Sequence, residues 1–384
     1  MPAYLTPLLL LLASPLAGGV GVEPGVRAAE HPAPQIDYLR AEFEDLRARH
    51  EQARRGLAGS PDGARVADQA FRGQFAELAA RGSGRATAWF LRTFPLAHEA
   101  TRQEQQVRLE MFEQLARDEA DRAWLLDPAF DLFEVLLRDA EVLGRGPAID
   151  LAEAFARAAT VDETRARALG TAACLEATWT EPDPARRKRA EQRHAEVIER
   201  FPDTAQAQAS RDALWRLSKL AVGKLAPGFI ASDVDGNEIR LGDLHRRVLV
   251  VEFWSANDPA ARAWADHRAK LVERHIDERF FLLGVNLDQD AQSFRRALEG
   301  LGIEWLNAFT GASQGSAAST GPKQAVWRMT QGGTNLVLDA NGVVRHVDLH
   351  GAELEAAVAA LIAEGRAQRG APQAKTNAGV VQGL

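Results

Sequence analysis

The 384-residue chain holds a single cysteine, Cys174, in the run TAACLEAT. A thiolate is made available by a neighbouring cation or a helix N-terminus, and disulfide exchange needs a second thiol. No such neighbour stands beside Cys174, and its apolar flanks Ala173 and Leu175 predict a buried position on a helix. His346 and His350 flank Asp348 and are ligand types for a metal, but four apart on a strand and the following turn they have no third ligand in view. Asp288-Gln289-Asp290 lacks the glycine and distal glutamate of a calcium loop and reads as a strand end followed by a helix cap. Gln331-Gly332-Gly333-Thr334 is glycine-rich, yet no helix follows to complete a phosphate cradle. No serine–histidine–acid order can be drawn, and no cofactor or metal is expected.

The stretch that must position any chemistry is Val248 to Arg262, VLVVEFWSANDPAAR. Its apolar run passes through Phe253 and Trp254, as in a central strand buried on both faces. A polar turn then opens a helix from about Pro259 to Arg274, with Asp258 as N-cap and Pro259 at the first helical position. Around it lie a hairpin, Phe229 to Ser232 and Glu238 to Leu241, turning at Asp235-Gly236-Asn237, and a second apolar strand, Phe280 to Leu287. A helix capped by Asp290 runs to Leu301 and is followed by Ile303 to Phe309 and a Ser/Gly/Ala loop over 312–320. A hairpin, Asn335 to Leu338 and Val343 to Val347, leads to a helix over Gly351 to Glu364. The tail, 366–384, reads as disordered. This alternation predicts an α/β sandwich over 223–364. Trp254, Trp264 and Trp327 are read first as core, with a groove lining as the alternative.

From Ile36 to Leu220 the pattern is helical throughout, with Ile36, Leu39, Phe43 and Leu46 at helical spacing. Breaks fall at 60–63, 82–84, 127–128, 144–147 and 181–184. The join Phe201-Pro202-Asp203-Thr204 resembles the turn of tetratricopeptide-like hairpins, with Asp203 or Thr204 capping the next helix. No 34-residue period supports a repeat array. A helical hairpin stack over 36–220 is expected, serving as a binding surface or a spacer.

A net charge of −7 speaks against a nucleic-acid partner. Residues 1–28 resemble a secretory signal, with an apolar core over Leu8 to Leu16 and cleavage after Ala17 or Ala28. That core is too short and proline-broken for a stable membrane span. The expected location is the periplasm or cell envelope of a bacterium.

The C-terminal residues resemble the redoxins of the alkyl hydroperoxide reductase/thiol-specific antioxidant superfamily, and most of all TlpA-like thioredoxin-fold proteins with a helical N-terminal domain. The likeness rests on the opening G-K-x-A-P-x-F (Gly223 to Phe229), the Asp-x-Asp-Gly hairpin and Leu241-Gly242-Asp243-Leu244. It extends to Val251 to Trp254, Leu283 to Asn286 with Asp288, Thr334-Asn335, and Leu338 to Gly342. The resemblance implies an all-helical domain followed by a thioredoxin-like α/β sandwich, and thiol–disulfide exchange through a C-x-x-C.

Here the motif departs from the family. The attacking cysteine's place falls on Asp258, the resolving cysteine's on Ala261 and the cis-proline's on Gly333. A carboxylate at a helix N-terminus is stabilised by the same amides and dipole, but it cannot form a mixed disulfide. The expectation is therefore no catalytic residue at these positions and a redox-inactive binding or scaffold module. A peptide or protein would be held near Trp254, Asp258, Gly333 and Thr334 or on the helical surface. The alternative is the family's oxidoreductase activity, using Cys174 or a partner's thiol.

Overall fold

The computed structural model describes residues 33–60, 62–177, 183–256, 261–275, 279–309, 326–329 and 332–370. The first unit ends at Arg211 and the second runs on from Asp212. Nine helices precede the first strand among the described residues: α1 (Ala33–Gly56), α2 (Gly63–Ala80), α3 (Gly84–Thr93), α4 (Arg102–Asp118), α5 (Leu132–Leu143), α6 (Arg145–Ala158), α7 (Asp162–Glu176), α8 (Pro184–Arg200) and α9 (Ala205–Lys219). The anticipated breaks at 60–63, 82–84, 127–128 and 144–147 separate helices, the one at 181–184 lies largely outside the described residues, and two more appear at 94–101 and 159–161. At the first of these Phe94 precedes Pro95, and the residue before a proline is pushed out of helical backbone.

The helical core centres on aromatic rings. Phe43 lies 5.9 Å from Phe130 and 6.2 Å from Trp89, ring centre to ring centre. His50 is fully buried among them, with Nε2 2.7 Å from Asp68 Oδ1. Thr204 settles the cap of α9: its Oγ1 accepts from the Ala207 amide at 3.2 Å and donates to the Phe201 carbonyl at 2.8 Å. Cys174 departs from expectation: it is exposed on α7. Its buried neighbours Ala173 and Leu175 occupy other faces of the same turn, because a helix rotates about 100° per residue.

The second unit begins inside α9 because Trp215 and Leu220 pack on the apolar core of its sheet. That sheet contains β1 (Ile230–Ser232), β2 (Glu238–Arg240), β3 (Val248–Trp254), β4 (Phe280–Asn286), β5 (Asn307–Phe309), β6 (Asn335–Leu338) and β7 (Val344–Val347). They lie in the order β2-β1-β5-β4-β3-β6-β7. β3 pairs parallel with β4 and antiparallel with β6, so it is the middle of the core, and every one of its residues is buried. Helix α10 (Ala261–Arg274) connects β3 to β4, and α11 (Ala291–Leu301) follows β4. Asp290 caps α11 as the sequence predicts, accepting from the Ser293 amide at 2.7 Å.

Helix α12 runs from Gly351 to Gly370, six residues past the anticipated end and into the segment read as disordered. Residues 371–384 lie outside the described set, as do residues 1–32, with the signal-like segment 1–28, and the whole Ser/Gly/Ala loop over 312–320. The start of β7 is covered on its outer side by the chain entering the domain. The Gly223 amide donates to the Val344 carbonyl at 2.7 Å, and the Val344 amide to the Lys224 carbonyl at 2.8 Å. The other outer strand, β2, is three residues long with exposed Glu238 and Arg240 at its ends.

Candidate functional site

The C-terminal end of β3 carries the candidate site. Val248, Val250, Glu252 and Trp254 alternate onto one face of the sheet, as strand geometry requires. Trp254 is interior: its Nε1 donates to Asn307 Oδ1 at 2.9 Å, and its ring stacks on Trp264 at 5.4 Å. Its indole therefore belongs to the core and only its backbone faces the loop at Gly332. Trp327 is also interior, with its ring edge-on to Phe229 at 5.3 Å. Trp264 is half-buried.

Asp288 holds the turn that leaves β3. One carboxylate oxygen accepts from Ser255 Oγ at 2.6 Å, and the other from the Ala256 amide at 2.9 Å and Asn286 Nδ2 at 2.8 Å. A carboxylate with three donors is a strong anchor for a loop. Asp258, the anticipated cap at the attacking cysteine's place, lies outside the described residues. Ala261 is the first described residue of α10.

Gly333 and Thr334 lie directly against β3. The Gly333 amide donates to the Phe253 carbonyl at 2.8 Å, and the Phe253 amide to the Thr334 carbonyl at 2.9 Å. Gly333 has φ +89°, a backbone region that favours glycine. A proline is fixed near φ −65° and has no amide hydrogen, so it could make neither this turn nor this bond. The loop where the resemblance would put a cis-proline thus has a glycine-specific geometry. Next to it, Gly332 sits so close to β3 that a Cβ would lie 3.2 Å from Trp254 Cα and from the Ser255 amide nitrogen.

Beneath this loop is a buried polar layer that sequence reasoning passed over. Glu252 is fully buried and pairs with Arg268 of α10, which donates from Nε at 2.9 Å. Removal from water pushes the Glu252 carboxyl up to about 7, against the opposing pull of Arg268. Asn335 lies directly across from Glu252 on β6, its Nδ2 donating to the Leu349 carbonyl at 2.8 Å. Asp348, whose Oδ1 accepts from the Asn335 amide at 3.3 Å, is also raised, by burial. The signal was present: a lone Glu inside VLVVEFW must find a partner if the strand is buried. His346 is half-buried and His350 exposed. Burial lowers the His346 imidazole. No cluster of three or more His, Cys, Asp or Glu suited to a metal occurs among the described residues.

The mixed sheet, with central β3 followed by α10 and with β6, β7 and α12 completing it, defines a thioredoxin-like fold behind a helical N-terminal region. Residues 222–347, about a third of the chain, match the family model described as the AhpC/TSA family. Similar solved structures include the thioredoxin domain of a thiol-disulfide oxidoreductase from Bacteroides vulgatus. It is 21% identical, over 38% of this chain and 99% of that one, with a TM-score of 0.33. A thiol:disulfide interchange protein from Bacteroides sp. is 22% identical, over 38% of this chain and 91% of that one, with a TM-score of 0.32. A thioredoxin-family thiol:disulfide interchange protein from Chlorobium tepidum TLS is 18% identical, over 37% and 98%, with a TM-score of 0.31. Comparison with curated proteins gives no match. Among the described residues no helix is long and apolar enough to cross a membrane.

Proposed function

We propose that the C-terminal domain is a thioredoxin-fold module kept for binding, not for thiol chemistry, in an exported protein of the bacterial envelope. One observation carries this reading: residues 222–347 contain no cysteine. The nucleophile and the resolving thiol of disulfide exchange both have to be cysteines, and peroxide reduction in this family needs a cysteine too. The places that match the family's redox motif hold Asp258, Ala261 and Gly333. What remains is a fold with a loop at Gly332–Thr334 beside the end of β3, suited to an extended peptide or a protein segment. Export rests on the apolar run Leu8 to Leu16, and N-terminal sequencing of the protein from a periplasmic fraction tests it.

A second reading is supported by the exposure of Cys174. An accessible thiol on the helical unit can exchange with a partner's disulfide, which would give the chain a thiol–disulfide oxidoreductase role. A disulfide-reductase assay on the mature protein, with Cys174→Ala beside it, separates the two. Equal absence of turnover in both supports the binding module. Turnover that vanishes in the variant establishes the second reading and removes the first.

A further inference from the structure

Two consecutive residues with large side chains, Trp327 (φ 51°, ψ 26°) and Arg328 (φ 56°), occupy the left-handed region. There the Cβ crowds the following carbonyl, so such residues are uncommon singly and rarer in pairs. Strain of this kind persists only where the surroundings over-determine it. Here they do. Trp327 is buried and its Nε1 donates to the Pro227 carbonyl at 2.8 Å. Arg328 is held three ways by the C-terminal half of α9: Nη1 donates to Asp212 Oδ1 at 3.1 Å, the guanidinium lies 5.0 Å over the Trp215 ring, and its carbonyl accepts from Arg216 Nη1 at 2.6 Å. Four residues beyond Arg328, Gly332 is pressed against the Trp254 and Ser255 backbone.

We infer that Trp327–Arg328 is a conformational latch: α9 holds the pair left-handed, and loss of the Asp212–Arg328 contact lets it relax and frees the Gly332–Thr334 loop from the end of β3. The latch does not depend on what the loop binds, and its test uses no ligand. Amide hydrogen exchange on Asp212→Ala in the full chain should show the Gly333 and Phe253 amides exchanging at least roughly tenfold faster, with the β3–β4 ladder at Val250 and Leu282 unchanged. No change at Gly333, or equal acceleration across the sheet, overturns the latch. A second comparison reads the strain itself. Arg328→Ala and Arg328→Gly lose the same guanidinium contacts, but only alanine pays the left-handed penalty. The glycine variant should therefore have the smaller unfolding constant, by about threefold to tenfold, despite the flexibility glycine adds to the unfolded chain. Equal stability, or a less stable glycine variant, overturns the proposal even if Asp212→Ala fails to fold.

Discussion

Arg268 Nε and Nη2 lie 2.9 and 2.8 Å from a single carboxylate oxygen of Glu252, and both side chains are almost completely sealed from water. The arrangement pits a strong attraction against a large desolvation cost, and for Glu252 the desolvation prevails. The folded protein therefore holds a proton on Glu252 more tightly than the unfolded chain does. A raised carboxyl stabilises the fold fully below its unfolded value of 4.5, and that contribution is lost as pH rises through about 7.

Glu252→Gln should consequently remain folded, because an amide still accepts from Arg268. Denaturant titrations at several pH values should show wild-type stability falling relative to the variant between about pH 5 and about pH 8, by a few kcal/mol in order of magnitude. Parallel curves for the two proteins would show that Glu252 does not titrate in this window. Arg268→Ala should be more damaging, at roughly 3 kcal/mol, since it leaves the buried Glu252 carboxyl without its partner and empties the space of a buried side chain.

Gly333 sets a graded test of the loop. Alanine there keeps the amide bond to Phe253 but carries the left-handed penalty, about 1–2 kcal/mol. Proline, the residue of the family pattern, loses the bond and cannot reach φ +89°, so it should cost about 3 kcal/mol or more. Thermal or urea unfolding of the two variants gives the order directly. A proline variant as stable as wild type would mean the loop readily adopts the family's conformation.

In the helical unit, Arg108 has one job in packing and another in capping. Its Nε donates to Asp139 Oδ2 at 2.6 Å, and its Nη1 to the Phe94 carbonyl at 2.7 Å, just past the end of α3. Burial lowers its guanidinium to about 10, so the charge persists at neutral pH. Arg108→Ala leaves Asp139 with only the more exposed Arg138 and a helix-end carbonyl without its donor, and should cost about 3 kcal/mol. Arg138→Ala removes a more exposed partner of the same aspartate and should cost about 1 kcal/mol. Circular dichroism melts of the two variants test the contrast.

Asn307 satisfies the indole nitrogen of Trp254 and in turn fits over Gly284 of β4, where a Cβ would collide with its side-chain oxygen. Asn307→Leu should leave the indole unpaired at a cost of roughly 1–3 kcal/mol. Gly284→Ala should displace Asn307 and shift tryptophan fluorescence. An unchanged emission spectrum in Gly284→Ala would count against this packing.

The frame of the fold could be read because apolar strands and capped helices leave local marks. VLVVEFW and FFLLGVN are β3 and β4, and Asp290 caps α11. What escaped is non-local or carries no composition signal. Arg108 and Asp139 are 31 residues apart and meet only in the folded unit. Trp327 and Arg328 lack the Gly or Asn that normally marks a left-handed turn. The exposed side of α7 could not be assigned because alanine and small residues surround Cys174 on every face. Helix α12 outran its expected end because the first residues of the tail, Arg366, Ala367, Gln368 and Arg369, are all good helix formers.

The covering of β7 by the chain at Gly223 to Ala226, together with the short, charged β2, has a consequence for assembly. Unpaired strand edges template polymerisation, and natural sheets blunt them by covering, shortening or charging. Both outer strands here are treated in one of these ways. Among the described residues, a visiting strand meets only a short ladder at either end. Among the described residues, the outer strands thus favour recognition through side chains and loops over strand addition, and they discourage edge-to-edge pairing between copies of the chain.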